Sequence, residues 1–116
     1  MIKILLCDDD QESAAVLESL LKKRGLQVIR PGQFLQLEIL LDQARPDLLL
    51  LDMCLPDVSA GSVIEHARSR GIPVLAFSGM SSWRQEALDA GCIAFLEKPF
   101  SVRQVLEFVD RHVKAS

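Results

Sequence analysis

Residues 47–56 read DLLLLDMCLP, and this stretch decides the fold. Four consecutive leucines with no polar alternation predict a strand covered on both faces, as at the centre of a parallel sheet flanked by helices. Pro56 cannot donate to a strand ladder, so the strand must end soon after Asp52. We therefore expect Asp52 to project from the carboxyl edge of the sheet, where open α/β sheets bind their ligands.

Short apolar segments and amphipathic segments alternate along the rest of the chain. Besides the leucine strand, strands are expected at residues 2–7, 26–30, 72–77 and 93–96. Helices are expected at residues 11–24, with Asp10 as the N-cap, at 34–44, from a loop at 57–61 to residue 70, at 83–90 and at 101–113. This alternation predicts an α/β fold, a doubly wound five-stranded parallel sheet with five helices on both faces.

Composition limits the class of protein. A chain of 116 residues with 49% hydrophobic residues is the size of one ordinary domain, so we expect residues 1–116 to form a single unit. The net charge of −3 lacks the positive field that direct nucleic-acid binding requires. No apolar run suits a signal peptide or a membrane span, which predicts a cytoplasmic protein. Cys7, Cys54 and Cys92 are widely spaced and are expected to be small, buried free thiols.

Chemically useful side chains follow the predicted strands. Because every residue that directly follows a strand of a parallel sheet emerges at the same edge, Asp8, Asp9, Asp52, Ser78 and Lys98 should converge there. Three carboxylates at close range repel one another, and the repulsion is relieved either by raised pKa values or by a bound cation. A ligand set of oxygens without histidine favours a hard divalent ion, and Mg²⁺ in particular.

The same edge suits phosphoryl chemistry. Asp52 is a carboxylate that can attack phosphorus and form an acyl phosphate. The amine of Lys98 and the hydroxyl of Ser78 can neutralise the phosphoryl oxygens, together with the cation. These residues therefore predict an aspartyl-phosphate site in which Asp52 is the nucleophile.

Five blocks of sequence resemble the signature blocks of two-component response-regulator receiver domains. They are LLCDDD at residues 5–10, PDLLLLDMCLP at 46–56, FSG at 77–79, AGC at 90–92 and FLEKPF at 95–100. They occur in the order typical of that family and span the whole chain. The resemblance implies a flavodoxin-like sheet with strand order 2-1-3-4-5, in which the strands that precede Asp9 and Asp52 are neighbours.

The resemblance also implies individual roles around the ion and the phosphoryl group. Asp52 becomes the phosphoacceptor, Asp9 a direct metal ligand, Asp8 a ligand through water and the backbone carbonyl of Cys54 a further ligand. Ser78 and Lys98 bind the phosphoryl group.

By the same resemblance, the peptide bond between Lys98 and Pro99 is expected to be cis. Phe95 matches the aromatic switch position. We expect Phe95 and Ser78 to lie at the ends of neighbouring strands, and Phe95 to move into space that the serine vacates. Two features depart from the family pattern. Ala60 stands where glycine is usual, and the segment between Ser78 and the AGC block is shorter than usual.

These observations predict a stand-alone receiver similar to the chemotaxis receivers. It would accept a phosphoryl group from a histidine kinase or a phosphotransfer protein and signal through its fourth helix, fifth strand and fifth helix. Its only catalysis would be its own phosphorylation and slow dephosphorylation. Two alternatives stay open: a receiver-like interaction module that is independent of phosphorylation, and a receiver excised from a longer regulator with a DNA-binding or enzymatic output domain.

Overall fold

The computed structural model describes residues 1–112, which form a five-stranded parallel sheet between two layers of helices. The strands are β1 (Lys3–Cys7), β2 (Gln27–Ile29), β3 (Leu48–Asp52), β4 (Val74–Ser78) and β5 (Ala94–Glu97). The helices are α1 (Gln11–Lys23), α2 (Leu37–Ala44), α3 (Ala60–Ser69), α4 (Arg84–Ala90) and α5 (Val102–His112), and a 3₁₀ turn (Ser81–Trp83) precedes α4. The strand order is β2-β1-β3-β4-β5, which confirms the predicted fold.

Strand β3 lies in the centre of the sheet, and all five of its residues are buried. Leu48 and Leu50 pack against α1 and α5, whereas Leu49 and Leu51 face α2, α3 and α4. Burial of each leucine contributes about 1.5–3 kcal/mol, so a strand that is covered on both faces favours an unbroken apolar run over an alternating one.

Local sequence signals place the ends of the first helix. Asp10 caps α1 by accepting a hydrogen bond from the backbone N–H of Ser13 at 3.3 Å, as predicted. Gly25 has φ of +81° just beyond the helix, a conformation that glycine adopts without a steric cost. The chain can therefore turn directly from α1 into β2.

Several predicted boundaries differ from the observed ones. Helix α2 begins three residues later than the expected residue 34, because Gln36 adopts a left-handed conformation with φ of +66°. Helix α3 begins inside the expected loop, and Ala60 is its first residue. Strand β4 begins after Pro73 and ends at Ser78, so this serine belongs to the strand. The predicted last residue of α5, Val113, lies outside the described residues.

None of the helices within residues 1–112 is long and apolar enough to cross a bilayer.

Candidate active site at the carboxyl edge of the sheet

The sheet brings the predicted polar side chains to one edge. Asp52 is the last residue of β3 and pairs in register with Phe77, one residue before the end of β4. Asp8 follows β1, which is hydrogen-bonded to the other side of β3. Lys98 follows β5, and its backbone N–H donates to the carbonyl oxygen of Ser78 at 2.8 Å. The parallel arrangement therefore collects residues that are far apart along the chain.

Asp8 and Asp52 form a buried carboxylate pair at this edge, and Asp9 lies exposed beside them. The exposed fractions are 7% for Asp8 and 4% for Asp52. One carboxylate oxygen from each of the three aspartates lies within 4.8 Å of those of the other two. The Asp8 carboxylate accepts a hydrogen bond from the backbone N–H of Asp10 at 3.0 Å, and Asp52 accepts one from the backbone N–H of Cys54 at 2.9 Å.

The amine of Lys98 bridges the two buried carboxylates. Its Nζ lies 3.2 Å from Oδ2 of Asp8 and 3.1 Å from Oδ2 of Asp52. It also lies 5.3 Å from the centre of the Phe77 ring, within the range of a cation–π interaction. One ammonium group thus partly neutralises two carboxylates, and the site retains an excess of negative charge.

The pKa values reflect this crowding. Burial raises the pKa of Asp8 above its ordinary value, against the opposing effects of the Asp10 backbone hydrogen bond and the Lys98 charge. Burial alone would lower the pKa of Lys98, but the hydrogen bonds and charges of Asp52 and Asp8 outweigh it and raise that pKa. The site therefore keeps Lys98 as a cation, and a divalent cation would relieve the cost of ionising Asp8.

The donor set of Asp8, Asp9 and Asp52 fits Mg²⁺, which prefers oxygen ligands and binds through a few carboxylates while retaining water. The backbone of Cys54 lies beside this set because its N–H is hydrogen-bonded to Asp52. The role of its carbonyl as a ligand stays a prediction.

Ser78 is fully buried at the end of β4. Its hydroxyl oxygen accepts a hydrogen bond from the backbone N–H of Met80 at 3.0 Å and lies 3.3 Å from Sγ of Cys54. The thiol contact was not predicted, because nothing in the sequence shows which way the two side chains point. The prediction that Cys54 is buried was wrong: its loop leaves it exposed, whereas Cys7 and Cys92 are buried.

Phe95 lies on β5, the neighbour of the strand that ends at Ser78, as expected, but it does not lie at the end of β5. It is the second residue of β5 and pairs in register with Ala76, two residues before Ser78. Its ring is already buried, with 5% exposure, and the guanidinium carbon of Arg84 lies 5.1 Å from its centre. The Lys98–Pro99 bond is cis, as expected.

An acidic pocket at the carboxyl edge of a 2-1-3-4-5 sheet, bridged by a lysine, defines a two-component receiver domain. The chain belongs to the response regulator receiver domain family, whose sequence model matches residues 4–110. Proteins of this family interact with histidine kinases or phosphotransfer proteins, and receiver domains bind Mg²⁺ in the acidic site.

Among named proteins, the chain is similar to the polar-differentiation response regulator DivK of Brucella anthropi. The two are 28% identical over an alignment of 116 positions, which covers 95% of this chain and 94% of the relative.

Two solved structures are also similar. A response regulator receiver domain from Bermanella marisrubri superposes with a TM-score of 0.83 at 30% identity, over 97% of this chain and 98% of the other. The receiver domain of a Pseudomonas aeruginosa sensor histidine kinase superposes with a TM-score of 0.84 at 25% identity, over 98% of each chain. That second structure has a magnesium ion coordinated in its active-site cleft.

Proposed function

We propose that this protein accepts a phosphoryl group from a phosphohistidine onto Asp52 in a Mg²⁺-dependent reaction. The observation that carries the proposal is the geometry of the buried carboxylate. Asp52 lies at the end of the central strand, within 4.8 Å of two further aspartates and 3.1 Å from the Lys98 amine. Burial is costly for a carboxylate whose charge is only partly neutralised, so such an arrangement supports a reacting group over a structural one.

In the proposed reaction, an Asp52 carboxylate oxygen forms a bond to phosphorus while the phosphorus–nitrogen bond of the donor breaks. The donor imidazole leaves with the electron pair and takes up a proton. Lys98 then exchanges part of its contact with Asp52 for the phosphoryl oxygens, as a point charge that stabilises the transferred group. Ser78 donates its hydroxyl proton to another phosphoryl oxygen.

Asp9, Asp52 and the backbone carbonyl of Cys54 would hold the ion directly, and Asp8 would hold it through water. When it is bound, Mg²⁺ neutralises charge on the phosphoryl oxygens and orients them for in-line attack. Asp8 also keeps Lys98 in place, because both of its oxygens lie within 3.3 Å of the amine.

The phosphorylated form would be lost by slow hydrolysis, in which water cleaves the oxygen–phosphorus bond and restores the Asp52 carboxylate with release of phosphate and a proton.

We propose that residues 1–116 act as one receiver domain in the cytoplasm. Its phosphodonor would be a histidine kinase or a phosphotransfer protein, and its downstream protein target would bind to α4, β5 and α5. No direct contact with nucleic acid is proposed.

Incubation with acetyl phosphate and Mg²⁺, followed by intact-mass spectrometry, tests this proposal. We expect one added phosphoryl group on the wild type and none on Asp52→Asn. The matched control is Asp89→Asn, which removes an exposed carboxylate from α4 and should leave labelling unchanged. If neither acetyl phosphate nor a phosphorylated kinase labels the wild type, the chain is an interaction module that works without phosphorylation.

A further inference from the structure

The hydroxyl of Ser78 has two neighbours in the resting structure. The backbone N–H of Met80 donates to its oxygen at 3.0 Å, and Sγ of Cys54 lies at 3.3 Å. Either atom could donate in the bridge to sulfur, but a thiol is only a weak donor, so we assign the Ser78 proton to this bridge and the sulfur as its acceptor. The thiol is therefore the side-chain partner that the Ser78 hydroxyl has in this state.

The position of Cys54 makes this contact relevant to phosphoryl binding. Cys54 lies two residues after Asp52, on the same turn, and its backbone N–H donates to the Asp52 carboxylate at 2.9 Å. A phosphoryl group on Asp52 would require the single proton of Ser78. That proton cannot serve the sulfur and a phosphoryl oxygen at full strength at the same time.

We propose that Cys54 is a positioning residue whose thiol competes with the phosphoryl group for the hydroxyl of Ser78. The inference rests on the proposed phosphoryl chemistry at Asp52 and adds a determinant of how strongly the loaded state is held. Sulfur is a weak hydrogen-bond partner, so the competition is mild and a phosphoryl oxygen wins it. The thiol therefore weakens the binding of the phosphoryl group by Ser78 without preventing it.

Equilibrium binding of beryllofluoride in the presence of Mg²⁺ tests the inference. Cys54→Ala removes the sulfur, and Cys54→Val replaces it with a methyl group that fills space but forms no hydrogen bond. We expect both variants to bind beryllofluoride about two- to fivefold more tightly than the wild type, the size expected for losing one weak competing hydrogen bond. Cys54→Ser keeps a polar partner and should stay within about twofold of the wild type.

The matched control is Ser82→Ala, which alters an exposed serine in the loop after β4 and should leave the affinity unchanged. The decisive comparison uses Ser78→Ala as the background. If Cys54 acts through Ser78, then Cys54→Val changes nothing once the hydroxyl is gone. An effect of equal size in both backgrounds, or weaker binding by the thiol-free variants, would overturn the inference.

A second readout needs neither metal nor beryllofluoride. Because the Met80 N–H donates to the Ser78 oxygen, Cys54→Val should shift the backbone amide resonance of Met80 in the free protein, and should do so only when Ser78 is present. An unmoved Met80 resonance would contradict the thiol contact. If the wild type itself does not bind beryllofluoride, the proposed function fails and this inference fails with it. If the wild type binds and the Cys54 variants match it, only the inference fails.

Discussion

Lys98 and Asp52 lie 3.1 Å apart, measured from the amine nitrogen to the carboxylate oxygen Oδ2, although 46 residues separate them in the sequence. The same amine lies 3.2 Å from Asp8. The lysine is 27% exposed, whereas the two carboxylates are almost completely buried. This relationship makes Lys98 the local source of charge balance at the acidic edge.

Lys98→Met should destabilise the protein because it leaves two buried carboxylates facing each other. Loss of one partner from a fully buried ion pair costs roughly 3–5 kcal/mol, and the partial exposure of Lys98 reduces the expected loss to about 1–2 kcal/mol. Denaturant unfolding at neutral pH measures the loss, and Mg²⁺ should recover part of it. Lys22→Met, which removes an exposed lysine of α1, is the control. Equal stability of Lys98→Met and the wild type without Mg²⁺ would contradict this account of the charges.

Mg²⁺ should stabilise the wild-type fold by binding to the native site. At an ion concentration about five times the Kd, the gain is about 1 kcal/mol, or roughly 4 °C in Tm for a domain of this size. Asp9→Ala should abolish this gain because it removes the exposed ligand of the cluster. Glu65→Ala, which removes an exposed acid from α3, should keep the full gain. Thermal melts with and without Mg²⁺ decide the matter, and an unchanged wild-type Tm would argue against the metal site.

Trp83 should report activation because its 3₁₀ turn follows directly after Met80, whose N–H is held by Ser78. When Ser78 turns to the phosphoryl group, the Met80 contact weakens and the population shifts toward a form with an altered turn. We expect beryllofluoride with Mg²⁺ to change the Trp83 fluorescence and Ser78→Ala to reduce the change. If backbone amide resonances from residue 79 to residue 100 stay fixed while beryllofluoride binds, the signal takes another route.

Gly91→Ala should cost more stability than Gly25→Ala. Both glycines have positive φ, +113° and +81°, so each substitution costs about 1–2 kcal/mol in backbone strain. A Cβ at residue 91 would also lie 2.5 Å from Cδ of Arg68, so this exposed, flexible side chain must shift at a small additional cost, whereas the space around Gly25 is open.

The extra cost should disappear in an Arg68→Ala background, because the alanine leaves room for the new methyl group. Denaturant unfolding of the single and double variants measures the difference. An extra cost that persists without the Arg68 side chain would show that contact with Arg68 is not its cause.

The sequence predicted the parts of the site that follow from the parallel sheet. An unbroken leucine run identified β3, and residues directly after parallel strands share one edge, so Asp52 and Lys98 were placed together from the pattern alone. The resemblance to receivers supplied the strand order and the cis bond before Pro99. These features depend on periodicity and on motifs that can be recognised from the residue types alone.

What was missed depends on side-chain directions and loop geometry. The contact between Cys54 and Ser78 requires one particular loop conformation at Cys54 and two particular rotamers, which no spacing rule specifies. Phe95 was expected at the end of its strand, but it is the second residue of β5, and its ring is buried with the guanidinium carbon of Arg84 5.1 Å from its centre. The late start of α2 depends on the left-handed conformation of Gln36, which is not a glycine.

The central claim is that Asp52 itself becomes an acyl phosphate. Hydride reduction of an acyl phosphate converts the aspartate to homoserine, and peptide mass spectrometry then locates the modified position. After treatment with a phosphorylated kinase or acetyl phosphate, Mg²⁺ and borohydride, we predict homoserine at position 52 and unmodified aspartate at positions 8 and 9. Homoserine at position 8 or 9, or a phosphorylated wild type that retains aspartate at position 52 after reduction, would contradict the account.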